Sequence, residues 1–355
     1  MTACLVLVAP VALFVIFWTS TGLLDYDDDV DLDDTIEAVA VGQVNGRPFA
    51  VTGDYDGTMR MWDLTKHTPI GKPMTGHTDQ VHAVAVGQVN GRPVAVTNGE
   101  DETVQVWDLT THTPIGKPMT GHTNFITAAA VGQVKGQPVA VTSSWDQTVR
   151  AWDLTTHKAI GKPMTGHTGP VHAVAVGQVN GRPVAVTSGE DETVRMWDLT
   201  THKAIGKPMT GHTDIVYAVA VSQVNGRPVA VTSGRDNTVR MWDLITRKPI
   251  GEPMTEHAKD DFTHTVWAVA IGHVNGRPVA ITSDDGRVWD LTTRTPIGEL
   301  TTGHTEAVHA VAVGQVNGRP VALTGGYDKT VRVWDLTTHK LLGELANQEP
   351  ATPTP

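Results

Sequence analysis

Seven Trp-Asp pairs recur along this chain at a nearly constant interval. Successive pairs lie 45 residues apart, except for one interval of 47, and they begin at Trp62, Trp107, Trp152, Trp197, Trp242, Trp289 and Trp334. A fixed period of this length is typical of a repeat architecture, in which each repeat packs on its neighbours. The repeats extend over residues 35–346, so the sequence predicts one large repeat domain.

The second repeat, residues 77–120, predicts four short strands, which we name a to d in chain order. Apolar and β-branched residues dominate three segments, at residues 81–86, 94–97 and 103–107, and residues 115–119 are expected to form a fourth, edge-like strand weakened by Pro118. Asn90-Gly91 lies between strands a and b and favours a two-residue hairpin turn. Each repeat is therefore expected to form a four-stranded antiparallel sheet in the order a-b-c-d, which makes the fold all-β.

Three motifs recur together in the repeats. In the second repeat they are Gly76-His77, Asp101 in the turn between strands b and c, and Trp107-Asp108. With these motifs the chain resembles the WD40-repeat family, whose repeats form the blades of a β-propeller. The resemblance covers all seven repeats and implies a seven-bladed WD40 β-propeller, similar in its near-identical repeats to bacterial members of the family.

The resemblance also implies a buried polar network in each regular blade. Each unmatched buried polar group costs ~1 to 3 kcal/mol, so such a network needs all of its partners. The histidines fall one to a blade rather than several at one point, and we interpret them as structural, not as metal ligands or catalytic bases. The network residues are His77, Thr97, Asp101, Trp107, His122, Thr142, Asp146, Trp152, His167, Thr187, Asp191, Trp197, His212, Thr232, Asp236, Trp242, His304, Thr324, Asp328 and Trp334.

Two repeats depart from this pattern. The first has Leu32 where the others have the network His, so its network is expected to be incomplete. The sixth has Glu256-His257 in place of Gly-His, a longer loop after this pair and a shorter second hairpin. The last repeat is expected to supply its own strand d, because residues 341–346 align with residues 115–120. Residues 347–355 are predicted to be a disordered tail.

Positions that differ between near-identical repeats are not required by the blade. Three such positions lie at the start of strand a and just before the turn Asp. The d-a and b-c loops place all three on one face, the variable face, which is the face that WD40 relatives use for partners. Its candidate binding residues are Tyr55, His82, Phe125, Trp145, His172, Tyr217, Arg235, Trp267, His309 and Tyr327.

Aromatic residues and Arg are enriched in interaction hot spots, so this set predicts a binding site for a protein or peptide partner. The site is expected to span blades 3 to 6 and to be centred on Phe125, Trp145, Tyr217, Arg235 and Trp267. The alternative is that the rings only pack between neighbouring blades.

The opposite face is nearly uniform. The Asn-Gly-Arg-Pro turns place one Arg in each of six blades, at positions 47, 92, 182, 227, 277 and 319. A ring of Arg could attract anions, including a lipid surface. Each Arg also begins strand b beside the Asp that ends strand c, as Arg92 and Asp108 do, and we favour this repeated ion pair as the explanation.

Composition argues against several classes of function. The net charge is -11, but seven Asp in residues 1–34 leave 27 basic against 31 acidic residues in the remainder, which is no basic footprint for nucleic acid. Cys4 is the only cysteine, so no disulfide or cysteine-based zinc site is expected. No cofactor or metal motif is present. The sequence therefore favours a non-catalytic interaction scaffold. Acid-base chemistry by Glu100, Glu190, His82, His172 and His309 at the central channel of the propeller is the weaker alternative.

The N-terminal segment suggests a membrane. Residues 3–24 carry no charge, which is long enough for a spanning helix, and we predict a membrane anchor or a signal in residues 1–24. A start inside a longer protein is the other explanation. Residues 25–34 form an acidic linker rather than a calcium loop. The alternative function is therefore a membrane-tethered sensor whose extracytoplasmic propeller binds a small ligand such as a glycan or peptide; without an anchor the propeller is expected to be cytoplasmic.

Overall fold

The computed structural model describes residues 35–255, 265–283, 286–300 and 303–346. These residues form seven antiparallel sheets, each built from consecutive strands, which confirms the all-β seven-bladed propeller. The predicted anchor, the acidic linker, Glu256-His257 and the C-terminal tail lie outside the described residues. None of the described residues form a helix long and apolar enough to span a membrane.

Blades 1 to 3 contain fourteen strands. Those of blade 1 are β1 (Ile36–Val44), β2 (Arg47–Asp54), β3 (Thr58–Asp63), β4 (Thr68–Pro69) and β5 (Met74–Thr75). Those of blade 2 are β6 (Val81–Val89), β7 (Arg92–Gly99), β8 (Thr103–Asp108), β9 (Thr113–Pro114) and β10 (Met119–Thr120). Those of blade 3 are β11 (Ile126–Val134), β12 (Gln137–Ser144), β13 (Thr148–Asp153) and β14 (Lys158–Thr165).

Blades 4 to 7 contain four strands each. Those of blade 4 are β15 (Val171–Val179), β16 (Arg182–Gly189), β17 (Val194–Asp198) and β18 (Lys203–Ala204). Those of blade 5 are β19 (Val216–Val224), β20 (Arg227–Gly234), β21 (Val239–Asp243) and β22 (Lys248–Pro249). Those of blade 6 are β23 (Val269–Val274), β24 (Arg277–Thr282), β25 (Arg287–Asp290) and β26 (Thr295–Glu299). Those of blade 7 are β27 (Val308–Val316), β28 (Arg319–Gly326), β29 (Thr330–Asp335) and β30 (Lys340–Ala346).

Strands a and b are longer than the sequence pattern predicts. In blade 2 they pair continuously from Ala83 opposite Asn98 to Val89 opposite Arg92, directly beside the turn. The turn residues Asn90 and Gly91 have φ values of 51° and 76°, as a type I′ hairpin requires. The sequence prediction ended strand a too early and began strand b too late, because Gly, Gln and Pro near the turn are poor strand formers. The tight turn nevertheless keeps the two backbones paired.

Strand d is less regular than predicted. In blade 2 it is split into β9 and β10, which both pair with β8. Gly116 adopts φ 74° between the two pieces and takes the chain out of the strand conformation. Ile115 still donates its N–H to the Val106 carbonyl, at 2.7 Å. A single strand over residues 115–119 was therefore the wrong assignment.

Blade 7 is completed by its own C-terminal strand. β30 pairs with β29 from Lys340 opposite Asp335 to Ala346 opposite Thr330. The predicted alignment holds at the end of the strand, but Leu341 pairs with Trp334 as Pro114 pairs with Trp107. The sequence alignment had placed Leu341 one position later. The register of β30 shifts beside Trp334, as that of β26 shifts beside Trp289.

Small and large residues interlock between the innermost strands of neighbouring blades. A Cβ on Gly42 would overlap Val86 of the next blade, and the same relation holds for Gly87 and Val131. Gly314 of blade 7 meets Val41 of blade 1 in the same way, and β27 packs against β1. The ring of blades therefore closes with the same glycine–valine contact that joins blades 1 to 5 in turn and blade 6 to blade 7.

Candidate functional site

The network residues are in hydrogen-bonding contact in blade 2. The Trp107 indole N–H donates to Thr97 Oγ1, and that hydroxyl lies 2.8 Å from both the indole nitrogen and His77 Nε2. His77 Nδ1 lies 2.8 Å from a carboxylate oxygen of Asp101. One assignment of protons satisfies all four groups: the hydroxyl donates to Nε2, and the Nδ1–H donates to the carboxylate.

The same four-residue contact recurs in blades 3, 4, 5 and 7. There the corresponding distances lie between 2.8 and 3.0 Å. Burial lowers the pKa of His122 and His167 in spite of their Asp partners, which favours neutral imidazoles. Burial alone would raise the pKa of Asp328, but the hydrogen bond from His304 lowers it to about 2. In blades 3 and 4 the network thus pairs a neutral His with an ionised Asp.

Blades 1 and 6 are arranged differently. In blade 1 the Trp62 indole donates to Thr52 at 3.2 Å, and the buried carboxylate is that of Asp54, which accepts from Arg60 at 3.3 Å. The turn residue Asp56 accepts only from the exposed Thr58 N–H among its described hydrogen bonds. In blade 6 the buried indole nitrogen of Trp289 has no hydrogen-bond partner among the described residues, and the Arg287 guanidinium lies 5.9 Å from the Trp289 ring.

Five candidate binding residues form a continuous run of rings, the aromatic collar, defined as His172, Tyr217, Trp267, His309 and Tyr327. Their ring centroids are separated in turn by 5.4, 4.6, 5.5 and 4.0 Å. Four of them occupy the same repeat position in blades 4 to 7, near the start of strand a, and Trp267 lies just before β23. Sequence reasoning selected these residues but did not predict that each ring would contact the next.

The remaining candidates fall into separate places. Phe125 and Trp145 contact each other within blade 3, with centroids 5.4 Å apart. His82 lies 3.2 Å from a carboxylate oxygen of Glu100 in blade 2. Tyr55 is half-buried in blade 1, and Arg235 is exposed in blade 5. The structure therefore places Arg235 at the surface beside the collar. Tyr55, His82, Phe125 and Trp145 lie in blades 1 to 3, away from the blades that form the collar.

Exposure corrects part of the sequence prediction. The candidates were expected to be exposed, but Tyr217 is only 6% exposed, and the rings of His82, His172 and His309 are buried as well. Trp267 and Tyr327 are half-buried. These side chains lie at or next to the start of strand a, where they pack against one another. Contact between blades therefore accounts for the buried side of the collar and leaves part of Trp267 and Tyr327 accessible.

The collar side chains are uncharged near neutral pH. Burial lowers the pKa of His172 to about 4 and that of His309 to about 3. Burial also raises the pKa of the Tyr217 hydroxyl to about 12, against the opposing effect of the nearby Arg235 charge. The collar is thus a neutral, aromatic surface whose nearby cation is Arg235.

The channel is acidic on the side of blades 1 and 2. Glu37 occupies the collar position in blade 1 and is fully buried, and neither of its carboxylate oxygens has a hydrogen-bond partner among the described residues. Burial raises the pKa of Glu37 to about 8, and the charges of Glu100 and Asp54 act in the same direction. Sequence reasoning did not select Glu37 or Asp54. The available signal was an acid at positions where blade 2 has His82 and Gly99.

The opposite face carries the predicted ion pairs in four blades. Arg92 lies 3.1 Å from Asp108, and the equivalent pairs measure 3.4, 3.6 and 3.4 Å in blades 4, 5 and 7. The Arg side chains are more than half exposed, so each pair contributes little to stability. Within the described part of the chain, no group of three or more His, Cys, Asp or Glu side chains could hold a metal ion.

Comparison with known families identifies the repeat. The family described as "WD domain, G-beta repeat" matches residues 68–108, 113–153, 159–198, 204–243 and 294–335, together more than half of the chain. The five matches end at the third strands of blades 2, 3, 4, 5 and 7. These are the blades in which the complete His-Asp-Thr-Trp network is seen. No curated protein matches the chain.

Proposed function

Because the chain belongs to the WD40-repeat family, we propose that it is a non-catalytic interaction scaffold that binds a protein or peptide partner on its variable face. Propellers of this family commonly serve as protein-interaction scaffolds. The aromatic collar is the observation that carries the proposal. It joins rings from four consecutive blades, and two of these rings, Trp267 and Tyr327, keep accessible surface.

The composition of the collar suits a partner of this kind. Tyr, Trp and Arg are the residue types that dominate interaction hot spots, and Trp267, Tyr327 and Arg235 keep accessible surface there. The collar is neutral, so covering it costs less desolvation free energy than covering ionised groups would. Its rings are already held by their neighbours, which reduces the conformational entropy lost on binding.

The buried histidines argue against acid-base catalysis. A general acid or base works best when its pKa lies near the working pH. Burial keeps the pKa of His172 near 4 and that of His309 near 3, so neither imidazole exchanges protons readily at neutral pH. These two histidines therefore do not support the enzyme alternative.

Trp267→Ala tests the proposal. Trp267 contacts Tyr217 and His309, so removing its ring opens the middle of the collar. We expect partner capture to weaken by ~2 kcal/mol or more, as truncation of a hot-spot residue does, with a small change in melting temperature because Trp267 is only half-buried. Proximity labelling or pull-down followed by binding titration measures the effect.

The matched control acts on the other face. A triple charge reversal of Arg92, Arg182 and Arg227 alters exposed side chains and leaves the collar intact. If Trp267→Ala retained every partner and the triple variant lost them without unfolding, the binding face would be the opposite one. Trp145→Ala then reports whether the separate Phe125–Trp145 pair belongs to the binding site.

Membrane anchoring stays a prediction from the sequence, since residues 1–34 lie outside the described residues. The extracytoplasmic sensor is the alternative that depends on it. Fractionating cells that contain the full chain, with protease protection of the propeller, tests both. A propeller recovered in the soluble cytoplasmic fraction would contradict the sensor alternative and leave the scaffold proposal intact.

A further inference from the structure

Among the described residues, no strand pairs with the outer edge of strand d in any blade. In blade 2 Ile115 donates its N–H inward to Val106, so the preceding residue, Pro114, directs its nitrogen outward. In blade 4 Met209 exchanges two hydrogen bonds with Val194, at 3.0 and 2.8 Å, so Pro208 also faces outward. Each outer strand thus has two positions whose backbone nitrogen points away from the sheet.

Proline occupies these outward positions in six of the seven described outer strands. Proline has no N–H, and it protects an open edge from pairing with another strand. The prolines are Pro69, Pro73, Pro114, Pro118, Pro163, Pro208, Pro249, Pro253 and Pro296. In β30 the two positions hold Leu341 and Glu344, because Leu341 pairs with Trp334 and Leu345 pairs with Val331. Blade 7 alone keeps both outward N–H donors.

The same strand exposes apolar surface. Leu341 is 46% exposed and Leu342 is 37% exposed, and they are two of the four large apolar side chains exposed in the described part of the chain. Leu341 replaces the Pro or Ala of the other blades. The register shift beside Trp334 makes Leu342 an extra residue in the strand. An open, apolar, proline-free edge favours the addition of a further strand.

We propose that β30 is a dimerisation edge, on which the β30 strand of a second copy of this chain adds in antiparallel orientation. The charges of the strand identify the occupant. Lys340 and Glu344 stand at its two ends, so a two-fold axis brings Lys340 of one copy toward Glu344 of the other. Glu344 contacts Arg332 at 3.4 Å, and 40% of its side chain is still exposed.

Dimerisation through this edge joins the two blade 7 sheets into one continuous sheet. It satisfies the outward donors at Leu341 and Glu344 and covers the exposed leucines of both copies. The interface uses the outer rim of blade 7, so it leaves the aromatic collar open. The proposal is therefore independent of the proposed function, and either could fail alone.

Leu341→Pro tests the edge with little risk to the fold. The substitution places proline at a register position where Pro69, Pro114, Pro249 and Pro296 already pair opposite Trp. The matched control is Ala159→Pro in blade 3, which stands opposite Trp152. Light scattering of the full chain over a range of concentrations gives the mass. We expect the wild type and Ala159→Pro to dimerise, and Leu341→Pro to raise the dissociation constant roughly tenfold or more.

A charge exchange tests the orientation without changing the backbone. Lys340→Glu alone and Glu344→Lys alone should each weaken the dimer, because each places like charges together. An equimolar mixture of the two variants should dimerise again, since every contact then joins opposite charges. The two charge variants also test the dimerisation edge if Leu341→Pro fails to fold.

Three results would overturn the proposal. One is a wild-type chain that stays monomeric at all concentrations, whether or not β30 pairs with a strand of a different protein. Another is a dimer that persists unchanged in folded Leu341→Pro, which would place the contact elsewhere, for example in residues 1–34. The third is a charge-exchanged mixture that fails to associate.

Discussion

At the scale of single residues, the Thr hydroxyl is the centre of each buried network. Thr187 accepts from the Trp197 indole and contacts His167, each at 2.8 Å. A hydroxyl can donate and accept at once, which lets one small side chain satisfy two larger ones. In blade 1 Thr52 accepts from Trp62 at 3.2 Å, while Leu32 stands at the position of the His.

Thr187→Val is expected to destabilise the fold more than Thr52→Val. The first substitution leaves the buried nitrogens of Trp197 and His167 without partners, and the second leaves only that of Trp62. Each stranded group costs about 1 to 3 kcal/mol, and valine keeps the side-chain volume. Urea unfolding of the two variants measures the difference, and equal losses would contradict a role for the His in the network.

Glu37 is expected to make stability fall with rising pH. Burial raises its pKa from 4.5 to about 8, so the folded chain keeps a proton that the unfolded chain releases over that range. The free energy of unfolding therefore decreases between pH 4.5 and about 8. Glu37→Gln cannot ionise and should remove this decrease, which thermal melting at the two ends of the range measures. Glu190→Gln, an exposed change on the same face, is the control, and parallel curves for wild type and Glu37→Gln would refute the assignment.

At the scale of the strand, a glycine in each outer strand receives a side chain from the next blade. Gly116 has φ 74°, and a Cβ there would overlap the His157 imidazole of the turn between strands c and d in blade 3. Gly71 meets His112, and Gly343 meets His67 across the closing junction. His67, His112 and His157, each in the turn between strands c and d, therefore have a packing role between blades, which the repeat pattern alone did not reveal.

Gly116→Ala is expected to cost more than Gly91→Ala. Both positions have positive φ, and alanine in that conformation costs about 1 to 2 kcal/mol. Nothing lies within 4 Å of a Cβ at Gly91, whereas one at Gly116 meets His157. The difference between the two losses in chemical unfolding therefore reports the contact between blades. Adding His157→Ala to Gly116→Ala should recover that difference, and no recovery would show that the contact is unimportant.

At the scale of the whole molecule, the fold could be predicted from the sequence because the repeat occurs seven times. The spacing of the network residues, the Asn-Gly turns and the Trp-Asp pairs all repeat. A departure from the pattern in one blade therefore does not obscure the pattern that the other blades share. The aromatic collar depends on how each blade is rotated against the next, which no single repeat encodes. Glu37 and Asp54 are acids at repeat positions where the other blades have other residues. Only their burial in the assembled ring identifies them as unusual. What repeats was predictable, and what is unique to one blade required the assembled structure.

The interlock of glycine and valine between inner strands has a consequence for how such a chain can change. The pairs Gly87–Val131, Gly132–Val176 and Gly177–Val221 join blades 2 to 5 through the same two residue types. Each of these blades therefore presents the same contact residues to its two neighbours, so one blade of this set could take the place of another. Duplication or recombination of the coding segment could shuffle the rings and charges of the channel mouth without redesigning a single junction. New recognition surfaces would then arise by rearranging whole units rather than by waiting for point mutations.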